Sequence, residues 1–255
     1  MSTVAFLPHH STAKLSSIMS SVQRIQFYTA PYSPYSHRVR LALDEAGAQY
    51  VAHNFPNTRT KPEWYYQINP RGRIPSIAYG GPNVPAEEPS SESVKLTESL
   101  ALIEFVADIF PDSGLLPKDL VLRAKARGFI QIYDSFIQPP FKGAFFLGEG
   151  TEPLLQAIEK LQTALPPTGF AIGLYSIADC AVAPFFVRMM LFLRRGIGAF
   201  SKEDGARLRD AFASEKFARF RQYVEDLENR PSFQKSWDEA EQVALWTNVP
   251  GFRKE

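Results

Sequence analysis

The sequence predicts an α/β unit followed by an all-helical half. Three observations carry that expectation: a strand pattern that runs through a proline-bounded turn into an apolar-periodic helix within 25–47, a proline-interrupted strand and hairpin between 74 and 96, and the end of strand patterning after Pro111. At 255 residues, 45% hydrophobic and 22% charged, the chain suffices for one large or two modest globular domains.

Ile25-Gln26-Phe27-Tyr28 alternates as a first strand. Ser33 then stands where a helix N-cap belongs, Pro34 takes the first helical position, Val39, Leu41 and Leu43 begin a buried face, and Gly47 closes the helix as a C′ glycine. Gln49 to His53 reads as a second strand, made parallel to the first by the helical crossover. Lys61 to Asn69 predicts a short polar helix stopped by Pro70. Pro75 cannot donate to a ladder and holds Ile74 extended, so it starts the next strand, which pairs as a long-tipped antiparallel hairpin with Val94 to Leu96 across a turn-rich loop at 80–92. Thr97-Glu98-Ser99 opens a helix with Leu102, Phe105, Val106, Ile109 and Phe110 at helical spacing.

Pro111 to Pro117 is the clearest linker. The expected division is a disordered extension at 1–23, an α/β domain at 24–110, a linker at 111–118 and a helical domain at 119–255. Helices are expected near 119–137, 151–165, 176–195, 203–212 and 215–229, with Pro139 and Pro140 breaking the first and an aromatic stretch at 141–147 resuming it after a kink. Ser176 and Asp179 form a capping-box pair ahead of the most apolar helix, Cys180 to Leu193. The tail from Trp237 to Trp246 either packs back on the domain or covers a cleft.

A net charge of +1 from 28 basic and 27 acidic residues supplies no field for nucleic acid or an anionic membrane, so a small-molecule or protein partner is expected. The single cysteine, Cys180, cannot form an internal disulfide, and no stretch reaches the roughly 18 apolar residues of a membrane span. A reducing, cytoplasmic setting follows. The first 23 residues are Ser/Thr-rich and free of acids, with an organelle-targeting peptide as the alternative to a disordered extension.

The turn carries the chemistry. A hydroxyl at a helix N-terminus sits beside exposed N–H groups and a positive dipole end, where a thiolate or carboxylate is favoured; alone, Ser33 also reads as a plain helix cap.

Taken together, Ser33-Pro34-Tyr35-Ser36-His37-Arg38-Val39-Arg40, Lys61-Pro62-Glu63-Trp64, Asn69-Pro70-Arg71-Gly72-Arg73-Ile74-Pro75, Glu98-Ser99 and Ser176-Ile177-Ala178-Asp179 resemble the cytosolic glutathione transferases across about 24–235, and the first two blocks are most similar to the omega-like transferases of fungi. The resemblance implies a thioredoxin-like N-terminal domain that binds glutathione as co-substrate and a helical C-terminal domain. It implies that Ile74, before a cis Pro75, offers its backbone to the cysteinyl unit. Glu98 and Ser99 would hold the γ-glutamyl end, Lys61 would face the glycyl carboxylate and Tyr35 would pack beside the tripeptide. Without the resemblance, Lys61 reads as a solvated helix residue and Tyr35 as a core aromatic.

Omega enzymes usually carry cysteine where this chain has Ser33. Serine cannot form a mixed disulfide, so thioltransferase chemistry is not expected; Ser33 is instead the candidate catalytic hydroxyl, donating to the glutathione sulfur and favouring its thiolate. Tyr28 and Tyr32 are alternative hydroxyls, and Cys180 lies in an apolar helix. Tyr133, Phe136, Phe141, Phe145, Phe146 and Trp246 are candidates for a hydrophobic-substrate site, with core packing as the alternative for each. The expected function is transfer of glutathione to hydrophobic electrophiles or peroxides, or else ligandin-like binding of aromatic compounds such as polyphenols. No metal is implied, and a homodimer is expected, as is common for this family.

Overall fold

A computed structural model describes residues 22–56, 60–249 and 252. Most of the expected extension at 1–23 therefore lies outside the described residues. Strands β1 (Ile25–Thr29), β2 (Val51–Asn54), β3 (Ser76–Tyr79) and β4 (Val94–Thr97) form one sheet in the order β2-β1-β3-β4. β2 runs parallel to β1, and β3 is antiparallel to both β1 and β4, so the crossover and the hairpin expected from the sequence are both present.

Strand alternation divides the sheet's two faces. Ile25 and Phe27 of β1 and Ile77 of β3 join the main core with α1 (Pro34–Glu45) and α2 (Ser99–Ile109). Tyr28 and Ala78 face the other way, into a small aromatic cluster with Phe55 and Tyr65. The segment after β2 is shorter than expected: only Glu63–Gln67 is helical, as a tight 3₁₀ stretch, because Pro62 ahead of it is extended and Pro70 follows within a few residues.

The helical half is built around α6 (Ile177–Arg195), which packs against α1, α2, α3 (Leu120–Ile132) and α8 (Ala218–Glu228). Ser176 and Asp179 form the full capping box. Asp179 also accepts from the Ala171 amide at 2.9 Å and the Tyr223 hydroxyl at 2.8 Å, while burial raises its carboxyl to about 6 against the pull of these donors. The linker is strapped to this helix by the Ile177 amide, which donates to Leu115 O at 2.9 Å.

One expectation fails instructively. Pro139 and Pro140 do not break the helix that begins at Leu120. It continues through a wide π-type turn at Tyr133–Ile137, a short α4 (Gln138–Lys142) and a second wide turn at Gly143–Leu147. The prolines fall at the first positions after the first wide turn, where a missing N–H is tolerated as at a helix start. After α5 (Glu152–Ala164) and α7 (Lys202–Ala213), the chain ends in α9 (Pro231–Ser236), which lies on α1, and α10 (Glu239–Thr247), which returns to the junction of the two halves. No helix among the described residues is long and apolar enough to cross a membrane.

Candidate functional site

The turn between β1 and α1 is closed by the Ser33 amide, which donates to Ala30 O at 3.1 Å. Ser33 is extended and caps α1: its Oγ accepts from the Ser36 amide at 3.2 Å, and Pro34 begins the helix. A hydroxyl that accepts through one lone pair keeps its own O–H as a donor. Ser33 is therefore a cap that still carries a proton to give, at 6% exposure beside the helix N-terminus.

Two clefts adjoin the first turn of α1 and share Tyr35, and Ser33, one residue ahead of that helix, lies on the wall of neither. The first, toward the sheet, has a volume of about 380 Å³ and is walled by Tyr35, Asn69, Arg73, Ile74, Pro75, Glu98 and Ser99. The Ile74–Pro75 bond is cis, and no hydrogen bond engages the Ile74 backbone among the described residues. Glu98 has a φ of 70°, a backbone conformation uncommon for a residue with a side chain, immediately before α2 begins at Ser99. Its carboxylate pairs with Arg71. Ser99 Oγ accepts from Arg38 Nη1 at 3.3 Å, leaving its O–H free to donate into the cleft beside the first amides of α2. Arg38 is itself buried and also donates to Ala181 O of α6 at 2.6 Å and to Asp134 at 3.3 Å. An extended peptide with an ammonium and a carboxylate at one end fits this donor and acceptor set. Lys61 is not on the wall; its Nζ lies 5.5 Å above the Phe55 ring centre, and burial lowers its pKa.

The second cleft, about 370 Å³, opens between the halves and is predominantly apolar. Phe141, Phe146, Phe185 and Trp246 supply aromatic walls, and Tyr35, Gln138, Lys142 and Arg188 the polar groups. Tyr35 meets Phe185 edge-on at 5.2 Å and accepts from Gln138 Nε2 at 2.7 Å. Of the aromatic residues proposed for this site, Phe141, Phe146 and Trp246 lie on the wall. Three others require correction. Tyr133 and Phe145 point into the core, Tyr133 beneath Phe185 and Phe145 against Phe200 and Phe192, while Phe136 is 66% exposed in a different surface groove. Each lies within a wide turn, which marks an interruption of the helix without setting which way an aromatic side chain faces.

The alternative hydroxyls are poorly placed for chemistry. Tyr28 is buried in the small cluster with its O–H given to Gln26 at 3.1 Å, and burial followed by the Glu87 charge pushes it up to about 12. Burial also raises Tyr32. Cys180 is buried, and its thiol is pushed upward by that burial. No cluster of three or more His, Cys, Asp or Glu is arranged for a metal ion among the described residues.

Sequence reasoning missed Asn69 and Arg73 in the first cleft and Gln138, Phe185 and Arg188 in the second. Arg188 had a legible signal: it is the lone charge between Cys180 and Leu193. The tail completes the site. Gln242 of α10 donates to Pro31 O at 3.1 Å and accepts from Arg188 Nε at 3.1 Å and Trp246 Nε1 at 3.3 Å.

The glutathione S-transferase N-terminal domain family matches residues 32–109. Glutathione S-transferase omega-2 of Homo sapiens is 31% identical over 109 residues, which span 43% of this chain and 40% of that relative's length. Among solved structures, glutathione transferase Omega 2S from Trametes versicolor is 52% identical, with 91% of this chain and 99% of that chain covered and a TM-score of 0.87. A complex of that transferase with 2,4-dihydroxybenzophenone aligns with a TM-score of 0.86. Omega 1C from the same fungus is 43% identical, covering 88% of this chain and 95% of its own, at a TM-score of 0.85. With its thioredoxin-like sheet domain, its helical second half and this extent of identity, the chain belongs to the omega-like glutathione transferase family.

Proposed function

We propose that this chain binds glutathione along the first cleft and uses Ser33 to stabilise its thiolate for transfer to a hydrophobic electrophile held in the second. The observation that carries the reading is the placement of the Ser33 hydroxyl, with its proton uncommitted, at the N-terminus of α1 next to Tyr35, the residue common to both clefts. The cysteinyl unit pairs with the Ile74 backbone, the γ-glutamyl carboxylate takes the Ser99 hydroxyl and the first α2 amides, and its ammonium takes Glu98. In conjugation the thiolate sulfur forms a bond to the electrophilic carbon and the leaving group departs with the electron pair. With an organic peroxide, two glutathione thiols are oxidised to the disulfide and the peroxide is reduced to alcohol and water. Thioltransferase chemistry is not part of the reading, because Ser33 lacks sulfur and Cys180 is buried.

Spectroscopic titration of bound glutathione tests it. The thiol pKa is expected to be lower on the parent than on Ser33→Ala; equal values would remove Ser33 from the mechanism.

A second reading, ligandin-like sequestration of aromatic compounds, is favoured by the aromatic walls of the second cleft and by the benzophenone complex of the Trametes versicolor relative. Saturable binding of polyphenols without glutathione consumption, and no turnover of model electrophiles, would select it. A two-fold homodimer is the proposed assembly. A sedimentation mass near one 28.7 kDa chain would contradict it.

A further inference from the structure

Arg188 is 2% exposed, yet its side chain forms part of the wall of the aromatic cleft. Four of its five N–H groups are engaged: Nε by Gln242 Oε1 at 3.1 Å, Nη1 by Pro184 O at 2.9 Å and His37 Nδ1 at 3.1 Å, and Nη2 by Pro31 O at 3.3 Å. Every one of these acceptors is neutral. No carboxylate pairs with Arg188 among the described residues, and the Trp237 ring 4.9 Å away offers only its face. The guanidinium is hydrogen-bonded without being neutralised, a state whose desolvation penalty neutral partners do not offset.

The surroundings repeat the same sign. No Asp or Glu lines the cleft; Lys142 of α4 is its other charged side chain. From α1, His37 faces Arg188 as a neutral ring, and the buried Arg38 lies 4.6 Å from the Phe185 ring centre behind the wall. Tyr35 is the remaining titratable group on the wall, and α10 presents only Gln242 and Trp246. Burial pulls Arg188 down to about 9, so it remains a cation at neutral pH.

We propose that the second cleft selects flat aromatic ligands bearing an ionised oxygen, a phenolate or an aromatic carboxylate, and seats that oxygen at the remaining Nη2 N–H of Arg188. This rests on the reading of the cleft as an aromatic-ligand site and adds the charge state of the ligand to it. The rings of Phe141, Phe146 and Trp246 take the flat body, and the ligand anion supplies the counter-charge that the fold omits.

The test uses the intact protein with 4-hydroxybenzophenone and its methyl ether. Absorbance titration is expected to place the bound phenol pKa about one unit or more below that of the free compound, with the phenolate binding about tenfold tighter than the ether. Arg188→Met is expected to abolish the shift; because that residue also ties α6 to the turn, Arg188→Lys serves as the variant that keeps a cation and part of the shift. Binding of both compounds with an unchanged or raised phenol pKa overturns the charge assignment while leaving the aromatic site intact. A shift that survives in Arg188→Met and disappears in Lys142→Met overturns it in favour of Lys142. Failure of both compounds to bind removes the aromatic-ligand reading and the charge assignment together.

Discussion

Arg188 Nη1 lies 3.1 Å from His37 Nδ1, and because a guanidinium can only donate, this contact fixes the ring: Nδ1 accepts, and Nε2 carries the proton toward Ser236 Oγ at 2.8 Å. Burial, followed by the Arg188 and Arg40 charges, holds His37 well below the usual imidazole range. A lowered histidine binds fewer protons folded than unfolded, so its contribution to stability is fully present above the unfolded pKa near 6.5 and is lost as pH falls below it. Denaturant unfolding between pH 7 and 5 should show stability falling by up to about 1.4 kcal/mol per pH unit from this group. His37→Gln should be less stable at pH 7 and flatter across that window; an unaltered slope would show that His37 is not the group responsible.

Arg38 joins α1 to α6 and hands Ser99 one of its hydrogen bonds. Arg38→Met should cost about 3 kcal/mol in unfolding free energy, through the lost buried hydrogen bonds to Ala181 O and Asp134 and lost packing. In the folded fraction, calorimetry should show glutathione affinity reduced about tenfold, because Ser99 would be free to turn its hydroxyl from the cleft. Retained affinity would restrict Arg38 to a structural role.

Ser33→Ala should lose about 1 kcal/mol of stability as a helix cap alone. Ser33→Cys provides the complementary case. A thiol at this helix N-terminus should titrate below an ordinary cysteine and bring measurable disulfide exchange with a glutathionylated substrate, absent in the parent. Exchange of similar rate in the parent would contradict the reading of Ser33.

Gln242→Ala removes the link between α10 and the Pro31 carbonyl. Hydrogen exchange of 239–247 should then be faster, with about 1–2 kcal/mol less protection, while β1 and α1 are little changed. Trp246, on the cleft wall and bonded to the same side chain, should report aromatic-ligand binding by fluorescence quenching that is lost in Trp246→Leu.

Much of the fold was legible wherever its signals are local. Pro34 and Gly47 bound α1, alternation in β1 sorts Phe27 from Tyr28, and the Ser176–Asp179 capping box opens α6. Glu98 and Ser99 were readable as a helix start, but not the positive φ that sets Glu98 at the cleft. The second cleft was harder, since its walls come from segments far apart in the chain: Tyr35, Phe141, Phe185 and Trp246 meet only through tertiary packing. Tyr133, Phe136 and Phe145 were misplaced for a different reason: an aromatic residue near a helix interruption is marked by the sequence, but the face its side chain takes inside the wide turn is not.

Those two wide turns work as phase shifters. Each residue added to a helix rotates everything after it by about 100°, so the first turn sets the direction of Phe141 and Lys142, and the second, which ends the helix at Leu147, sets that of Phe146 within it. The width and charge of the cleft are thus adjustable by sliding a helix face in register rather than by redesigning it. Deletion of one residue within Tyr133–Ile137 would swing Lys142 and Phe146 away from Arg188 with the chemical composition of the helix otherwise unaltered, a route by which neighbouring members of one family can acquire different ligands from nearly the same set of side chains.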